Sequence, residues 1–503
     1  MTEEHREIER KLRVHALFRL PMLTTVPGVA SVERLPTVTL TNHYFDTPDL
    51  RLFRWGITLR RREGGHDEGW HLKLPVAGDE SGARDEIRAP LQPDLPDSLR
   101  RLITAFVREA EPGPLVTLRT ERTPYLLRDF EGTVRGELVD DHVTVLDGQR
   151  TVSTFHEIEV ESVADGEGRL DEAFIDRVAE ALAEAGATPS SLSKVGAALG
   201  PRSLAPPDIP ELPWPSPADP VADAVRAFLA HHVRRLITED LRQRRELPDA
   251  VHQMRVSARR LRSGLKAFAP FIDADTAQHL RDELAWMASG LGGSRDTEVL
   301  RERLDAHADE LPPRQADQAR AVIDSALGAR AVDAGQDAES MLNSERYRAL
   351  LVALVAAAVH PPLTEAAKGT CAELLPRVLA KTTRRLERAV ATLRMDGPAE
   401  PWHRARIVAK RARYVAETCA PILGKRVRRL AGQLARATAV LGTHHDAHVA
   451  QVTLEALAEQ TDGPGGYALG LLHEIEVAAE FADRRDFERL WPQVHRAIRR
   501  ATG

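Results

Sequence analysis

Acidic and basic residues alternate with apolar ones in several short segments of the first 200 residues. Glu7, Glu9 and Lys11 would share one face of a strand, because successive side chains of a strand point to opposite sides. Glu157 and Glu159 form a second pair with the same spacing. Two such carboxylate pairs could together hold a divalent cation such as Mg²⁺ or Mn²⁺, since these cations prefer oxygen ligands.

Basic residues follow the same alternation in other segments. Arg60 and Arg62 share a face of "TLRRRE", and Lys73 shares a face with His71 in "WHLKL". For any one strand, a charged face in water is the ordinary interpretation. If the strands close into a barrel with a wide lumen, however, the charged faces can point inward around a polar ligand. A metal beside a basic cradle is typical of phosphoryl chemistry.

The distribution of charge and proline divides the chain of 503 residues. Residues 1–200 contain 25 Lys+Arg and 35 Asp+Glu, whereas residues 201–503 contain 44 and 40. Eight prolines lie within residues 201–220 and predict a stiff, extended linker, because proline fixes φ and removes an amide donor. We therefore predict one domain at 1–200, a Pro-rich linker at 201–220 and a second domain at 221–503.

The two parts differ in periodicity. Short period-2 runs separated by turn residues predict an antiparallel β-barrel before the linker, and 3.6-residue periodicity predicts an all-α domain after it. The apolar run at 349–359 is well short of the roughly 20 residues that a membrane span needs. The acidic N-terminus is unlike a signal peptide, and the two cysteines lie far apart. We expect a cytoplasmic protein without a membrane partner.

The second part contains an internal repeat. "VHQMRVSARRLR" at 251–262 matches "WHRARIVAKRAR" at 402–413, and "LGGSRDTEV" at 291–299 matches "LGTHHDAHV" at 441–449. The similar offset, about 150 residues, indicates a duplication. We predict two repeated helical bundles that pack about a pseudo-twofold axis.

Basic residues form a stripe on one helix of each repeat, at spacings of three and four residues. A solvated basic face is the alternative, but acids are scarce in both segments, and this favours an anion held between the halves. Nucleic acid, a phosphoinositide surface and polyphosphate all have suitable charge, and sparse aromatic residues argue against base stacking. The predicted anion-binding residues are His252, Arg255, Arg259, Arg262 and Lys266 in the first repeat, and His403, Arg406, Lys410 and Arg413 in the second.

The N-terminal segments resemble a known family. "EIERK" at 7–11 resembles the ExExK signature of the CYTH superfamily, the triphosphate tunnel metalloenzymes. Further matching segments follow in the family's order: "YFDTPDL" at 44–50, "LRRR" at 59–62, "LKL" at 72–74, "ARDEI" at 83–87, "LRTERTPY" at 118–125, "EIEVE" at 157–161 and "SLSKVG" at 191–196. The resemblance implies a barrel tunnel in which a divalent metal supports hydrolysis of inorganic triphosphate or a nucleoside triphosphate.

The same resemblance implies roles for individual residues. The implied catalytic residues are Glu7, Glu9 and Lys11. The implied metal ligands are Glu7, Glu9, Asp140, Glu157 and Glu159. The implied substrate-binding residues are Lys11, Arg60, Arg62, Lys73, Arg84, Arg122 and Lys194. Two choices stay open, because Arg119 competes with Arg122 for the lumen and Asp141 competes with Asp140.

The helical part resembles the CHAD domain, the conserved histidine α-helical domain, through its paired "HxxR" and "LGxxxD" elements. That resemblance implies binding of inorganic polyphosphate and association with polyphosphate granules. The predicted protein is a metal-dependent triphosphatase joined to a polyphosphate-binding domain. Two alternatives remain: a non-catalytic polyphosphate-binding protein whose barrel only binds triphosphate, and an adenylate cyclase of the class IV type.

Overall fold

The computed structural model describes residues 3–76, 84–164 and 170–502, with the backbone alone at 3–7, 293–296 and 329–335. The chain divides into two compact units, residues 1–208 and residues 209–503. This division falls inside the proline-rich stretch at 201–220. Each unit is described separately below.

A single antiparallel sheet makes up most of the first unit. Its described strands are β1 (Glu3–Glu7), β2 (Glu9–Val14), β3 (Ser31–Arg34), β4 (Val38–Asp46), β5 (Thr58–Glu63), β6 (Gly69–Pro75), β7 (Arg84–Ala89), β8 (Gly113–Arg128), β9 (Val134–Asp147), β10 (Arg150–Ser162) and β11 (Thr188–Pro189). The accompanying helices are α1 (Arg51–Arg54), α2 (Asp97–Val107), α3 (Glu172–Glu184) and α4 (Lys194–Leu199).

The sheet closes on itself through the N-terminal segment. The strand order is β1-β7-β6-β5-β4-β8-β9-β10-β2-β11, with β3 paired to β8. Only Ile8 separates β1 from β2, so one continuous segment pairs with β7 on one side and with β10 on the other. The predicted antiparallel barrel is therefore confirmed.

Helix α3 determines which face of the barrel wall points inward. Leu12 on β2 and Ile158 on β10 are fully buried and pack in one cluster with Phe174 and Val178 of α3. The apolar face of these strands is therefore covered from outside. Because side chains alternate along a strand, the charged residues between the apolar ones point into the lumen.

The second unit is all-helical, as predicted. Its described helices are α5 (Val221–Arg244), α6 (Ala250–Ala267), α7 (Ala274–Gly290), α8 (Gly292–Ala308), α9 (Pro313–Asn343), α10 (Glu345–Val359), α11 (Cys371–Val390), α12 (Ala399–Leu423), α13 (Lys425–Ala458) and α14 (Gly463–Thr502). Among the helices of the described ranges, none has an apolar stretch long enough to cross a membrane.

The helices repeat along the chain at an offset close to 150 residues. Helix α5 corresponds to α11, α6 to α12, and α9 to α14, while α7 and α8 together correspond to the single long helix α13. Pro220 and Thr370, themselves 150 residues apart, pair with each other in an isolated antiparallel bridge. Equivalent residues of a duplicated structure meet in this way at a twofold axis. The helical architecture thus agrees with the predicted duplication.

Helices α6 and α12, which carry the predicted basic stripes, pack against each other. Arg260 on α6 donates a hydrogen bond to Glu417 on α12, with its Nη2 3.0 Å from the carboxylate oxygen. The same guanidinium lies over the ring of Tyr414, 5.9 Å from its centre. The stripes of the two repeats are consequently brought to one region of the unit.

Candidate functional site: a charged barrel lumen and a basic helical surface

Three carboxylates converge on one ammonium inside the barrel. Lys194 Nζ lies 3.0 Å from an oxygen of Asp141, 2.8 Å from one of Glu157 and 2.7 Å from one of Glu159. Asp141 comes from β9, whereas Glu157 and Glu159 come from β10. All four side chains are buried or nearly so. Residues separated by more than 50 positions in the sequence therefore form a single charged centre.

Local structure positions Lys194 at the start of α4. The hydroxyl of Ser193 accepts a hydrogen bond from the backbone N–H of Gly196, at 3.1 Å, and so caps the helix. A capping serine satisfies one of the free amide donors of the first turn and fixes where the helix begins. This cap places the lysine side chain at the carboxylates.

Strand β2 adds further charged side chains to the lumen. Lys11 Nζ on β2 lies 2.7 Å from Glu9 and 3.8 Å from Glu159, which is its partner in the strand register. Arg13 on the same face lies 3.6 Å from Glu157. The two carboxylate segments found in the sequence, near residues 9 and 159, are thus neighbours in the barrel.

Arg122 on β8 completes the acidic side of the lumen. Its guanidinium donates two hydrogen bonds to Asp141, at 2.9 and 2.7 Å, and a third to Glu159 at 3.3 Å. Arg119 is exposed on the opposite face of the strand. Of the two arginines that the sequence left open, the structure places Arg122 in the lumen.

The choice of Asp140 as a lumen acid is wrong. Asp141 is fully buried at the lumen centre, whereas the carboxylate of Asp140 points to the outer face and contacts His156. Adjacent residues of a regular strand point to opposite sides, so only one of the two can face the lumen. Asp141 therefore replaces Asp140 in the candidate metal set.

A basic group lies around Glu86 on β7. Arg60 and Lys73 approach one oxygen of Glu86, at 3.3 and 3.7 Å, and Arg88 approaches the other at 2.6 Å. His71 Nδ1 lies 3.1 Å from the same carboxylate. A single buried carboxylate thus holds several cationic side chains that come from three strands.

Arg62, Arg84 and Glu7 complete the predicted set. Arg62 is buried, donates to Asn42 at 3.0 Å and pairs with Asp67. Arg84 donates to the carbonyl oxygen of Gly56, at 2.7 Å, so a backbone acceptor already engages it. The side chain of Glu7 lies outside the described residues, and its role stays a prediction.

Burial and neighbouring charges together set the ionisation of the lumen groups. Burial alone would raise the pKa of Glu159, but the ammonium groups of Lys194 and Lys11 outweigh it and hold the pKa well below its usual range. Burial raises the pKa of Glu157 despite the same lysine. Burial, reinforced by the charge of Arg60, lowers the pKa of Arg62 to about 10.

The donor set fits a hard divalent cation. Glu9, Asp141, Glu157 and Glu159 offer carboxylate oxygens, which are the ligands that Mg²⁺ and Mn²⁺ prefer. Oε1 of Glu157 lies 2.8 Å from Lys194 Nζ, whereas its buried Oε2 has no hydrogen-bond donor in the described part of the chain and only Arg13 nearby, at 3.6 Å. A buried acceptor without a donor is costly, and a bound cation would satisfy it.

In the helical unit, basic residues of both repeats face one another. Arg255 and Arg259 of α6 lie close enough to Lys410 of α12 to repel its positive charge, as does Arg406. Asp446 lies 4.0 Å from Arg406 and partly offsets these charges. Burial, followed by the charges of Arg406 and Arg259, lowers the pKa of Lys410 to about 7. This concentration of positive charge is suited to an anion.

A second part of the basic surface lies further along α6. Arg262 and Lys266 lie near Arg281 of α7 and Arg411 of α12. Arg385 of α11 joins the same group. The stripe predicted on α6 thus meets basic residues from three other helices.

Arg413, His403 and His252 have different surroundings from the other predicted anion-binding residues. Arg413 donates to Glu417 at 2.6 Å and to Thr438 at 3.2 Å, so an acid compensates its charge. His403 Nδ1 lies 3.1 Å from Nδ1 of His445, and burial together with Arg406 lowers the pKa of His445 to about 3. His252 is half-buried on α6, three residues before Arg255.

Sequence reasoning missed several members of these groups. Arg88 shares the lumen face with Glu86, two residues earlier, so the alternation could have identified it. Arg281 and Arg385 lie on helices without a recognisable motif, and only the packing of the helices reveals them.

The fold and the charged centres define a class: a two-domain protein with an antiparallel tunnel lined by carboxylates and cations, and a duplicated helical domain with a basic surface. The family models agree with this description, since the CYTH domain matches residues 5–188 and the CHAD domain matches residues 227–455. The chain belongs to the CYTH and CHAD families and carries both domains.

Known proteins resemble all or part of the chain. An uncharacterised protein of Mycobacterium tuberculosis, Rv2226, is 32% identical over 528 residues, which cover 99% of this chain and 98% of the relative. PptA from Streptomyces chartreusis is 26% identical, with a TM-score of 0.48, and covers 55% of this chain and 100% of that one. The CHAD domain from the plant Ricinus communis is 26% identical, with a TM-score of 0.46, over 56% of this chain and 94% of that one.

Proposed function

We propose that the barrel hydrolyses inorganic triphosphate, or a related triphosphate, in the presence of Mg²⁺ or Mn²⁺. The observation that carries the proposal is that one lumen holds both a group of carboxylates and a set of cations. Carboxylates from β2, β9 and β10 lie together around Lys194, and Arg60 and Lys73 from β5 and β6 gather at Glu86. A linear polyanion with a metal bound to it needs both.

The acidic and basic residues of the lumen would have different roles. Glu9, Asp141, Glu157 and Glu159 would hold the cation, which makes a bound water a better nucleophile and offsets phosphate charge. The basic residues would bind the phosphate oxygens and stabilise the charge that develops on the leaving group. These basic residues are Lys11, Arg60, Arg62, Lys73, Arg84, Arg122 and Lys194.

The activity is tested by measuring phosphate release from triphosphate, ATP and long-chain polyphosphate with Mg²⁺ or Mn²⁺. Glu159→Gln keeps the shape of the side chain but removes a charge from the carboxylate centre, so we expect a loss of about a hundredfold or more. Glu33→Gln is the matched control, since Glu33 is an exposed strand residue that pairs with Arg128. Equal activity of both variants, or full activity in excess chelator, contradicts the proposal.

Assays with the same substrates distinguish the triphosphatase from the two alternative functions. An adenylate cyclase would convert ATP to the cyclic nucleotide and pyrophosphate without releasing phosphate. A non-catalytic barrel would bind triphosphate in a calorimeter and release nothing. The buried carboxylate centre favours the enzyme, because binding a polyanion without a metal would require no such group of negative charges.

We further propose that the helical domain binds inorganic polyphosphate across the basic residues of α6 and α12. Binding of a linear polyanion by such a surface is largely electrostatic and falls steeply with salt. Arg255→Ala combined with Arg406→Ala should weaken binding far more than Arg394→Ala combined with Arg489→Ala, because the latter pair is about 80% exposed and paired with acids. If both double variants behave alike, the surface model is wrong.

A protein with these two activities would act where polyphosphate and Mg²⁺ occur together. We propose the cytoplasm, including the surface of polyphosphate granules, as that location. Both cysteines, Cys371 and Cys419, are free and buried, which is compatible with a reducing compartment.

A further inference from the structure

A second group of metal-ligating side chains lies on the outer face of the barrel wall. Asp140 and His142 stand two residues apart on β9 and therefore share a face. His156 on β10 is the direct cross-strand partner of His142. One ligand atom from each of the three residues lies within 4.8 Å of the other two. The lumen carboxylates of β9 and β10 point the opposite way, so this group is separate from them.

The two imidazoles approach the same carboxylate oxygen. His156 Nε2 lies 2.5 Å from Oδ1 of Asp140, and His142 Nε2 lies 3.9 Å from that oxygen. The two rings stack with their centres 3.9 Å apart and their planes 21° from parallel. Two nitrogen donors and one oxygen donor thus lie within one small volume on the outer face of β9 and β10.

The backbone fixes the orientation of the buried histidine. His156 Nδ1 lies 3.2 Å from the carbonyl oxygen of His15, and a carbonyl only accepts, so Nδ1 carries the proton. The separation of 2.5 Å between Nε2 and Asp140 is that of a charge-assisted hydrogen bond from a ring that carries a proton on both nitrogens. A dication bound by both atoms would replace the Nε2 proton and take a wider separation of the two ligand atoms. A histidine that donates its other N–H to a carbonyl is the usual arrangement of a metal ligand.

The chemistry of the donors selects the cation. Imidazole nitrogen suits Zn²⁺, Co²⁺ and Ni²⁺, whereas Mg²⁺ prefers oxygen alone. Three protein ligands leave a fourth tetrahedral position for water. His142 is exposed and Asp140 is half-buried, so the open side of the group faces solvent.

We propose that Asp140, His142 and His156 form a binding site for a transition-metal dication of the Zn²⁺ type. The metal would join β9 to β10 on the outer face of the wall whose inner face carries Asp141 and Glu157. The site is independent of the proposed triphosphatase activity, because it rests on different side chains and takes a different class of metal.

The test uses the full chain, stripped with a chelator, dialysed, and supplied with excess Mg²⁺ to occupy the oxygen-ligand site of the lumen. Co²⁺ is titrated while its visible absorption is recorded, and Zn²⁺ is then added as a competitor. We expect a visible spectrum of four- or five-coordinate Co²⁺ that Zn²⁺ abolishes. His142→Ala should lower the Co²⁺ affinity at least about tenfold, since the loss of a ligand costs no less than the loss of a supporting contact.

Two controls locate the metal. His279→Ala removes another exposed histidine, on α7, and should change nothing. His445→Ala removes one member of the histidine pair in the helical unit and should also leave the Co²⁺ affinity unchanged. The proposal is overturned if the chain shows no saturable Co²⁺ spectrum, in which case the group is an imidazolium–carboxylate pair. It is equally overturned if His142→Ala binds as the parent does or if His445→Ala abolishes the spectrum.

Discussion

Replacing Lys194 with methionine would remove the ammonium that the lumen carboxylates share. Methionine is similar in length and unbranched, so the change mainly removes charge. The ammonium lies within 3.0 Å of three carboxylates, and those of Asp141 and Glu157 are almost completely buried. Breaking one buried ion pair by removing a partner costs about 3–5 kcal/mol, because the remaining charge stays buried without compensation. We expect Lys194→Met to destabilise the barrel by at least about that amount at pH 7 in chelator.

The loss of stability in Lys194→Met should depend on divalent cations and on pH. Excess Mg²⁺ should restore part of the stability, because a bound cation would replace the missing charge. The pKa of Glu159 is held well below its usual range, so its contribution to stability is present at pH 7 and is lost as the pH falls through that lowered value. Without the ammonium the carboxylates would protonate more easily, so the difference from the parent should shrink toward about pH 4.

Hydrogen exchange of the amides in β9 and β10, followed by mass spectrometry, measures the barrel without interference from the helical unit. Arg100→Met is the control, since Arg100 lies in the same unit, is 42% exposed and pairs with Glu111 at the surface. Such a pair contributes no more than about 1 kcal/mol. The reasoning is refuted if Lys194→Met costs as little as the control, or if Mg²⁺ leaves its stability unchanged.

Two further predictions concern the helical unit. Polyphosphate affinity, measured by fluorescence anisotropy, should weaken from about pH 6 to pH 8, because Lys410, with a pKa of about 7, loses its charge there. Lys410→Arg should flatten this profile, and a profile like that of the parent would contradict the assignment. Gly264→Ala should destabilise the unit by about 1–3 kcal/mol in thermal unfolding, because its new methyl would lie 2.1 Å from the ring of Phe228. Gly432→Ala, where no atom lies within 4 Å of the added carbon, should be neutral or stabilising, and equal effects of both would exclude the steric explanation.

The sequence alone determined the strand and helix periods and the order of the charged segments. Alternation put Glu157 and Glu159 on one face, and a helical spacing of three and four residues put Arg255 and Arg259 on another. These properties depend on local geometry, which repeats every two residues in a strand and every 3.6 in a helix. They were sufficient to predict a charged barrel followed by a duplicated helical domain.

Only the tertiary structure decided which face became the inside. A strand with one apolar and one charged face can turn either of these faces toward the lumen. Here α3 covers Leu12 and Ile158 from outside, so the charged face points inward. The same packing decides that Asp141, and not the adjacent and chemically identical Asp140, faces the lumen. Strand register likewise brings His142 beside His156. Such contacts join residues far apart in the chain, and no local pattern specifies them, because they depend on how whole elements pack.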